Sequence, residues 1–154
     1  MIYKINRWCG AVEQEIECNA LDIIYFFRKF QKYDIVSDLD LLEYLRPFIH
    51  TEQYKLFFDK EDVIGYVSWA FLDDLNQHLF RKTGTPNKIN GGNNIWIIDV
   101  VSTKDVSYQV KWIFNYFVKE CGINKKINYL RIDQYNNIAT IGSKFTKEYH
   151  KWAE

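Results

Sequence analysis

The stretch Ile95-Trp96-Ile97-Ile98-Asp99-Val100-Val101 decides the fold, because it is a continuous apolar run broken by one charge. Such a run predicts a strand that is buried on both faces. A carboxylate left ionised and unpaired there would cost several kcal/mol, so Asp99 must have a partner, reach a cleft or be protonated. Asp99 is therefore a functional carboxylate, or a structural one that pairs with a cation or accepts backbone N–H bonds.

The residues before this run predict a hairpin and a helix. Residues 53–58 and 63–72 are strand candidates, and the polar turn 59–62 joins them as an antiparallel pair. The residues Phe71–Asp74 are then expected to pass into a helix that runs through about Arg81. The segment 83–94 is dense in Gly, Asn and Pro, which predicts a loop; it has no GxGxxG or P-loop pattern, so no nucleotide phosphate site is expected.

The residues on either side complete the order of elements. After the run, helical spacing from Lys104 to a stop at Gly122 is followed by a strand at 127–132, and the remainder is expected to be irregular or short helix. At the start of the chain two helices are predicted. One runs from Ala20 to about Lys32 with Asn19 as its N-cap, and the second is opened by Ser37 and Asp40 and ended by Pro47.

This order predicts an α+β fold, with helices layered against a mixed β-sheet. The chain has 154 residues, of which 47 % are hydrophobic and 18 % aromatic, and this length fits a single domain, 1–154. Twenty basic and twenty acidic residues cancel, so nucleic acid is not an expected partner. No signal peptide and no membrane span are predicted, which indicates a cytoplasmic protein.

The cysteines predict neither a metal site nor a disulfide framework. Cys9, Cys18 and Cys121 form an odd set without CxxC spacing, and no histidine lies at metal-ligand distance from them. A catalytic thiol at Cys121 stays open, because this residue lies near a predicted helix end.

Four segments, in order, resemble the lysine acyltransferases that activate RTX pore-forming toxins. They are Leu45–Tyr54 with its proline and Gln-Tyr pair, Gly65–Ala70 with Ser-Trp-Ala, Trp96–Asp99, and Leu130–Asp133. The resemblance implies a GNAT-like mixed β-sheet flanked by helices, and it implies that Asp99 is the catalytic aspartate of the family.

The resemblance also shows a departure from the family. There, a histidine acts with the aspartate to move a fatty acyl group from acyl carrier protein to a toxin lysine. Counting back from Pro47 places Tyr33 at that histidine and Phe30 at a nearby family serine. Tyrosine, with a pKa of about 10, is a poor base near neutral pH, although its hydroxyl can donate a hydrogen bond.

The altered site and short chain favour a branch of the family that acts in microcin maturation. In that branch an acyltransferase-like protein works with a larger partner protein to join a siderophore to the C-terminal serine of a peptide toxin. Fatty-acyl transfer to an RTX-toxin lysine and an inactive scaffold subunit are the alternatives. The resemblance implies a toxin precursor, a homodimer, a siderophore or a substrate linked to acyl carrier protein, and no tightly bound cofactor.

Five residues form the candidate site. Asp99, Tyr33 and His50 are the catalytic candidates, and His50 is included because it lies beside the matched proline segment. Ser68 and Trp96 are the candidates for binding substrate. The alternatives are a half-buried helix-end aromatic for Tyr33 and core positions for Ser68 and Trp96.

Overall fold

The computed structural model describes residues 11–132 and 138–147. The chain divides into two compact units, residues 1–54 and residues 55–154. The expectation of one domain over 1–154 stays a prediction.

The N-terminal unit is helical. Helix α1 spans Ala11–Phe27 and helix α2 spans Asp38–His50, with a 3-10 turn at Gln31–Tyr33 between them. The two helices pack against each other. Their buried apolar side chains are Ala20, Ile23, Ile24, Phe26, Phe27, Leu41, Leu45, Phe48 and Ile49. The prediction of two helices ahead of the first strand is confirmed.

The bounds of α1 differ from the prediction. Asn19 is not its N-cap, because the helix begins at Ala11 and Asn19 lies within it. The helix also ends at Phe27 rather than near Lys32, since the backbone tightens there into hydrogen bonds between residues three apart.

The capping prediction for α2 is right, whereas the predicted end is wrong. Ser37 Oγ accepts a hydrogen bond from the backbone N–H of Asp40 at 3.1 Å. Pro47 does not end the helix, which continues to His50. The two residues after the exposed proline are buried, and their packing outweighs the loss of one backbone hydrogen bond near the helix end.

The C-terminal unit contains a five-stranded mixed sheet in the order β1-β2-β3-β4-β5. The strands are Tyr54–Asp59, Asp62–Leu72, Asn94–Ser102, Lys126–Ile132 and Ile138–Phe145. The β2–β3 and β4–β5 pairs are antiparallel, and the β3–β4 pair is parallel. The expectation that the residues after Ile132 lack a strand is wrong. Strand β5 lies at the sheet edge, where mostly exposed side chains leave no clear alternation to read.

Two further helices belong to this unit. Helix α3 spans Asp74–Thr83 and helix α4 spans Ser107–Cys121. Helix α4 covers one face of the sheet. The core cluster beneath it consists of Phe57, Val67, Trp69, Ile95, Ile97, Ile113, Phe114, Phe117 and Ile127. With four α-helices and a five-stranded mixed sheet in the described residues, the α+β, GNAT-like class is confirmed.

Candidate active site

The strand register beside Asp99 contains a one-residue bulge. Ser68 of β2 pairs with Asp99 of β3, but the next pair along β2 is Trp69 with Ile97. Ile98 is thus an extra residue on β3. Bulges of this kind bend a strand, re-aim its side chains and occur often next to active sites.

The bulge turns Asp99 away from the core beneath α4. In a regular strand Asp99 would share a face with Ile95 and Ile97, both of which belong to that core. Instead Val100 packs against the core, while Asp99 shares the opposite face with its cross-strand partner Ser68. The charge in the apolar run is accommodated because one extra residue moves it off the apolar face.

Asp99 and Ser68 are in contact across the two strands. The Ser68 hydroxyl donates to Asp99 Oδ2 over 3.5 Å. Ser68 is fully buried, whereas Asp99 is half-buried. Asp99 is therefore held on a rigid strand, and its side chain is still partly accessible.

Trp96 lies on the same side of the sheet as Ser68, because its cross-strand partner is Ala70. Its ring is fully buried, and its Nε1–H donates to Gln77 Oε1 of α3 at 3.1 Å. The Phe80 ring meets it edge-on at 5.3 Å and the Arg81 guanidinium lies over it at 5.4 Å. Trp96 has a core position, and its role in binding substrate stays a prediction.

Tyr33 lies in the 3-10 turn that follows α1. Its ring stacks on Phe27 with centroids 4.5 Å apart, and the Lys32 ammonium lies 4.9 Å from its centroid. Arg28 stabilises the turn, because it donates a hydrogen bond to the Tyr33 carbonyl and forms a salt bridge with Asp38. Tyr33 is consequently a half-buried aromatic in a well-supported turn.

The other candidate of the N-terminal unit is His50. It is the last residue of α2 and is exposed. Tyr33 and His50 belong to the N-terminal unit, whereas Asp99, Ser68 and Trp96 belong to the C-terminal unit. Cooperation of Tyr33 or His50 with Asp99 therefore stays a prediction.

The parallel ladder between β3 and β4 is short. It joins Ile95–Ile97 to Ile127–Tyr129, and it ends two residues before Asp99. Both strands continue beyond this point, β3 to Ser102 and β4 to Ile132, with no further ladder pair between them in the described residues. A bound peptide or peptide-like molecule in an extended conformation could form backbone hydrogen bonds with β3 or β4 beyond the end of the ladder.

The N-terminus of α4 already holds an acidic side chain. Asp105 Oδ1 accepts from the Ser107 backbone N–H at 2.9 Å and from the Ser107 hydroxyl at 2.7 Å. The Ser107 hydroxyl bond and then the backbone bond hold the pKa of the Asp105 carboxyl below its ordinary value. A helix N-terminus attracts anions, and here the anion is supplied by the chain itself.

Cys121 does not have the surroundings of a reactive thiol. It is a half-buried residue at the C-terminal end of α4. Burial, followed by the nearby Glu120 carboxylate, raises the pKa of the thiol above its ordinary value. A nucleophilic cysteine needs a lowered pKa, so these surroundings disfavour a catalytic role.

Within 11–132 and 138–147, no three His, Cys, Asp or Glu side chains lie together in a way that could hold a metal ion. In the same residues, no helix is long and apolar enough to cross a membrane. Cys9 and Asp133, which the sequence analysis names, lie outside the described residues.

Comparison with known families decides the class of the protein. The model of the RTX toxin acyltransferase family, HlyC, matches residues 20–141, which is most of the chain. The chain belongs to this family. No curated protein matches it.

Membership of the RTX toxin acyltransferase family indicates an acyltransferase that acts in toxin maturation, with a toxin precursor as its substrate. The matched range includes all five candidate residues, from Tyr33 to Asp99. It also includes the bulge at Ile98, which the sequence pattern did not reveal.

Proposed function

We propose that this chain acts in the cytoplasm in microcin maturation, joining a siderophore to the C-terminal serine of the peptide toxin together with a larger partner protein. Its family supports transfer of an acyl-type group to a toxin precursor. The tyrosine at position 33, where the family has its histidine, supports a branch with different chemistry from lysine acylation. The observation that carries the proposal is the bulge that presents Asp99 beside Ser68.

Asp99 orients or deprotonates the attacking nucleophile in this proposal. A hydroxyl that attacks an activated carbonyl must lose its proton as the new C–O bond forms and the donor's leaving group departs. An ionised carboxylate within hydrogen-bonding reach can take that proton. The half-burial of Asp99 supports this role, because the carboxylate is held on a strand and is still accessible. Tyr33 contributes a hydrogen-bond donor to the developing oxyanion, and His50 is the alternative base.

The donor binds where the β3–β4 ladder ends. The missing pairs between the later parts of these strands support an extended donor arm that reaches the neighbourhood of Asp99. The occupied N-terminus of α4 supports a donor that is not held there through a phosphate. The donor is a siderophore or a group carried by acyl carrier protein. The protein uses no tightly bound cofactor. It acts as a homodimer.

Two other functions remain candidates. The match to the RTX toxin acyltransferase family favours fatty-acyl transfer from acyl carrier protein to a toxin lysine. The replacement of the family histidine by Tyr33 favours a subunit that binds the partner protein and has lost the chemistry.

Intact-mass analysis of a microcin precursor tests these functions. The precursor is co-expressed with the siderophore pathway, with and without this chain and with and without the larger partner. A siderophore-sized increment at the C-terminal serine that requires this chain supports the proposal. A fatty-acyl increment on a lysine establishes fatty-acyl transfer. Full modification by the partner alone removes the catalytic role of this chain, and equal activity of the isolated chain removes the scaffold function.

An Asp99→Asn variant tests the catalytic carboxylate. We expect the rate of modification to fall by about 100-fold or more, because general acid–base catalysis contributes about 10²- to 10⁴-fold. Asp62→Asn is the matched control, since Asp62 is an exposed aspartate at the start of β2. An unchanged rate in folded Asp99→Asn protein would remove Asp99 from the mechanism.

A further inference from the structure

The Ser68 hydroxyl is a buried polar group with a functional neighbour. Ser68 is 0 % exposed and lies in a strand whose residues from Gly65 to Ala70 are all buried. A buried hydroxyl needs a hydrogen-bond partner, because a hydroxyl taken out of water without one destabilises the fold. The partner that the structure provides is Asp99 Oδ2.

The bulge places these two side chains together. In a ladder without a bulge, Ile98 would pair with Ser68 and would place an apolar side chain there instead of Asp99. A buried serine on one strand and a bulge on the next are thus two independent features that bring a hydroxyl and a carboxylate to one point.

We infer that Ser68 is a positioning residue for the Asp99 carboxylate and does not itself bind the substrate. The inference rests on the catalytic role proposed for Asp99. A hydroxyl that donates to one carboxylate oxygen restricts rotation of the group and so fixes the orientation in which the carboxylate meets the nucleophile. Full burial of Ser68 fits this role better than contact with a substrate.

The contact between Ser68 and Asp99 is longer than a usual hydrogen bond. The 3.5 Å between Ser68 Oγ and Asp99 Oδ2 exceeds the 2.5–3.0 Å that is usual for O–H···O hydrogen bonds. Catalytic hydrogen bonds are often long in the free enzyme and tighten in the reacting complex. A small rotation of either side chain shortens this one, because both Cα atoms are fixed by the strand pairing.

The test compares Ser68→Ala with Ser68→Cys in the microcin-modification assay. Cysteine keeps an atom at the γ position, somewhat larger than the serine oxygen, but is only a weak donor, so it separates packing from hydrogen bonding. We expect both variants to lower the maximal rate by about 10- to 100-fold, the amount that corresponds to a hydrogen bond to a charged group. The precursor concentration for half-maximal rate should stay unchanged, because Ser68 does not touch substrate.

The outcomes are distinct. If Ser68→Cys has the wild-type activity, Ser68 acts through packing and not by positioning Asp99. If the variants raise the precursor concentration for half-maximal rate and leave the maximal rate unchanged, Ser68 binds the substrate instead. Ser143→Ala, at an exposed serine of β5, is the matched control and should keep the full rate. A normal rate in Ser68→Ala beside an inactive Asp99→Asn defeats the positioning role alone. A normal rate in Asp99→Asn removes Asp99 from the mechanism and with it the inference, whereas absence of the siderophore increment with the wild-type chain defeats the proposed function itself.

Discussion

Ser68 and Asp99 are cross-strand partners on the sheet face opposite α4. The next pair, Trp69 and Ile97, lies on the face that α4 covers. The side chain of Ile98 lies between these two positions of β3 without a partner residue of its own on β2. For this sequence, the bulge in the pairing therefore decides whether the carboxylate meets a hydroxyl or an apolar core.

Deletion of Ile98 tests the bulge. Without Ile98, residue 99 follows residue 97 directly, so the shortened strand can form a regular ladder that still pairs Asp99 with Ser68. We expect the toxin precursor still to be modified, and the free energy of unfolding to fall by about 3 kcal/mol or less through the loss of one half-buried apolar side chain. Denaturant unfolding and the mass assay measure the two effects. Ile98→Val keeps the residue count and should cost less than about 1.5 kcal/mol. Loss of modification in the folded deletion variant, beside normal modification by Ile98→Val, would show that the bulge itself is required.

Gly65→Ala tests the close approach of α4 to β2. A Cβ atom at position 65 would clash with the side-chain amide of the buried Gln109, so the glutamine side chain must move. We expect a loss of about 1–3 kcal/mol in the free energy of unfolding, measured by denaturant titration. Combination with Gln109→Ala removes the clash, and the double variant should be less destabilised than the sum of the single changes. Strictly additive losses would show that the two positions do not interact.

Asp73, the N-cap residue of α3, should make the stability of the protein depend on pH in the acid range. Asp73 Oδ1 accepts from the Asn76 backbone N–H at 2.7 Å, and this bond is the main cause that lowers the pKa of the carboxyl in the folded protein. A carboxyl whose pKa is lower in the folded protein stabilises that protein at pH values above the pKa of about 3.9 that the carboxyl has in the unfolded chain. This stabilisation disappears as the pH falls through the folded-state pKa.

Asp73→Asn separates capping from titration. Asparagine also caps helices but carries no titrating carboxyl, so the variant should unfold at nearly the wild-type temperature near neutral pH. From about pH 5 downwards its melting temperature should fall less steeply than that of the wild type. Thermal unfolding followed by circular dichroism between pH 7 and pH 2 makes the comparison. Identical acid slopes would show that Asp73 does not contribute to the pH dependence.

Cys121 should react slowly with alkylating reagents and should not be needed for modification of the toxin precursor. Since burial raises the pKa of its thiol, the reactive thiolate is scarce near neutral pH. Alkylation mapped to Cys121 by mass spectrometry should be slower than that of free cysteine and should accelerate as the pH rises. Cys121→Ala should keep the rate of toxin modification within about two-fold. A large loss of that rate in folded protein would restore the thiol as a catalytic candidate.

Local signals were sufficient for much of the fold. The strands around residues 54–59, 62–72 and 95–101 were predicted to within one or two residues, because their apolar patterns end at polar turns and loops. The Ser37 cap was also predicted, since the hydroxyl and the N–H that it accepts from are three residues apart. The start of α1 and the whole of β5 were missed, because neither has a distinct local signal.

Asp99 shows what the sequence by itself determined. A carboxylate in an apolar run is costly, and this cost alone marked residue 99 as a special position. Four segments in order were sufficient to suggest the family that the comparison then showed. The sequence pattern did not indicate the face on which Asp99 lies, and strict alternation would have placed it in the core beneath α4.

Only the tertiary structure decided the direction and the partner of that carboxylate. The bulge at Ile98 exists because β3 pairs with β2, and the two residues that meet there are 31 positions apart in the chain. A side chain on a strand faces one side or the other according to the register of its ladder, and register is a property of two strands together. Hydrophobic pattern is local and can be read from one segment, whereas the contact of Ser68 with Asp99 required the folded sheet.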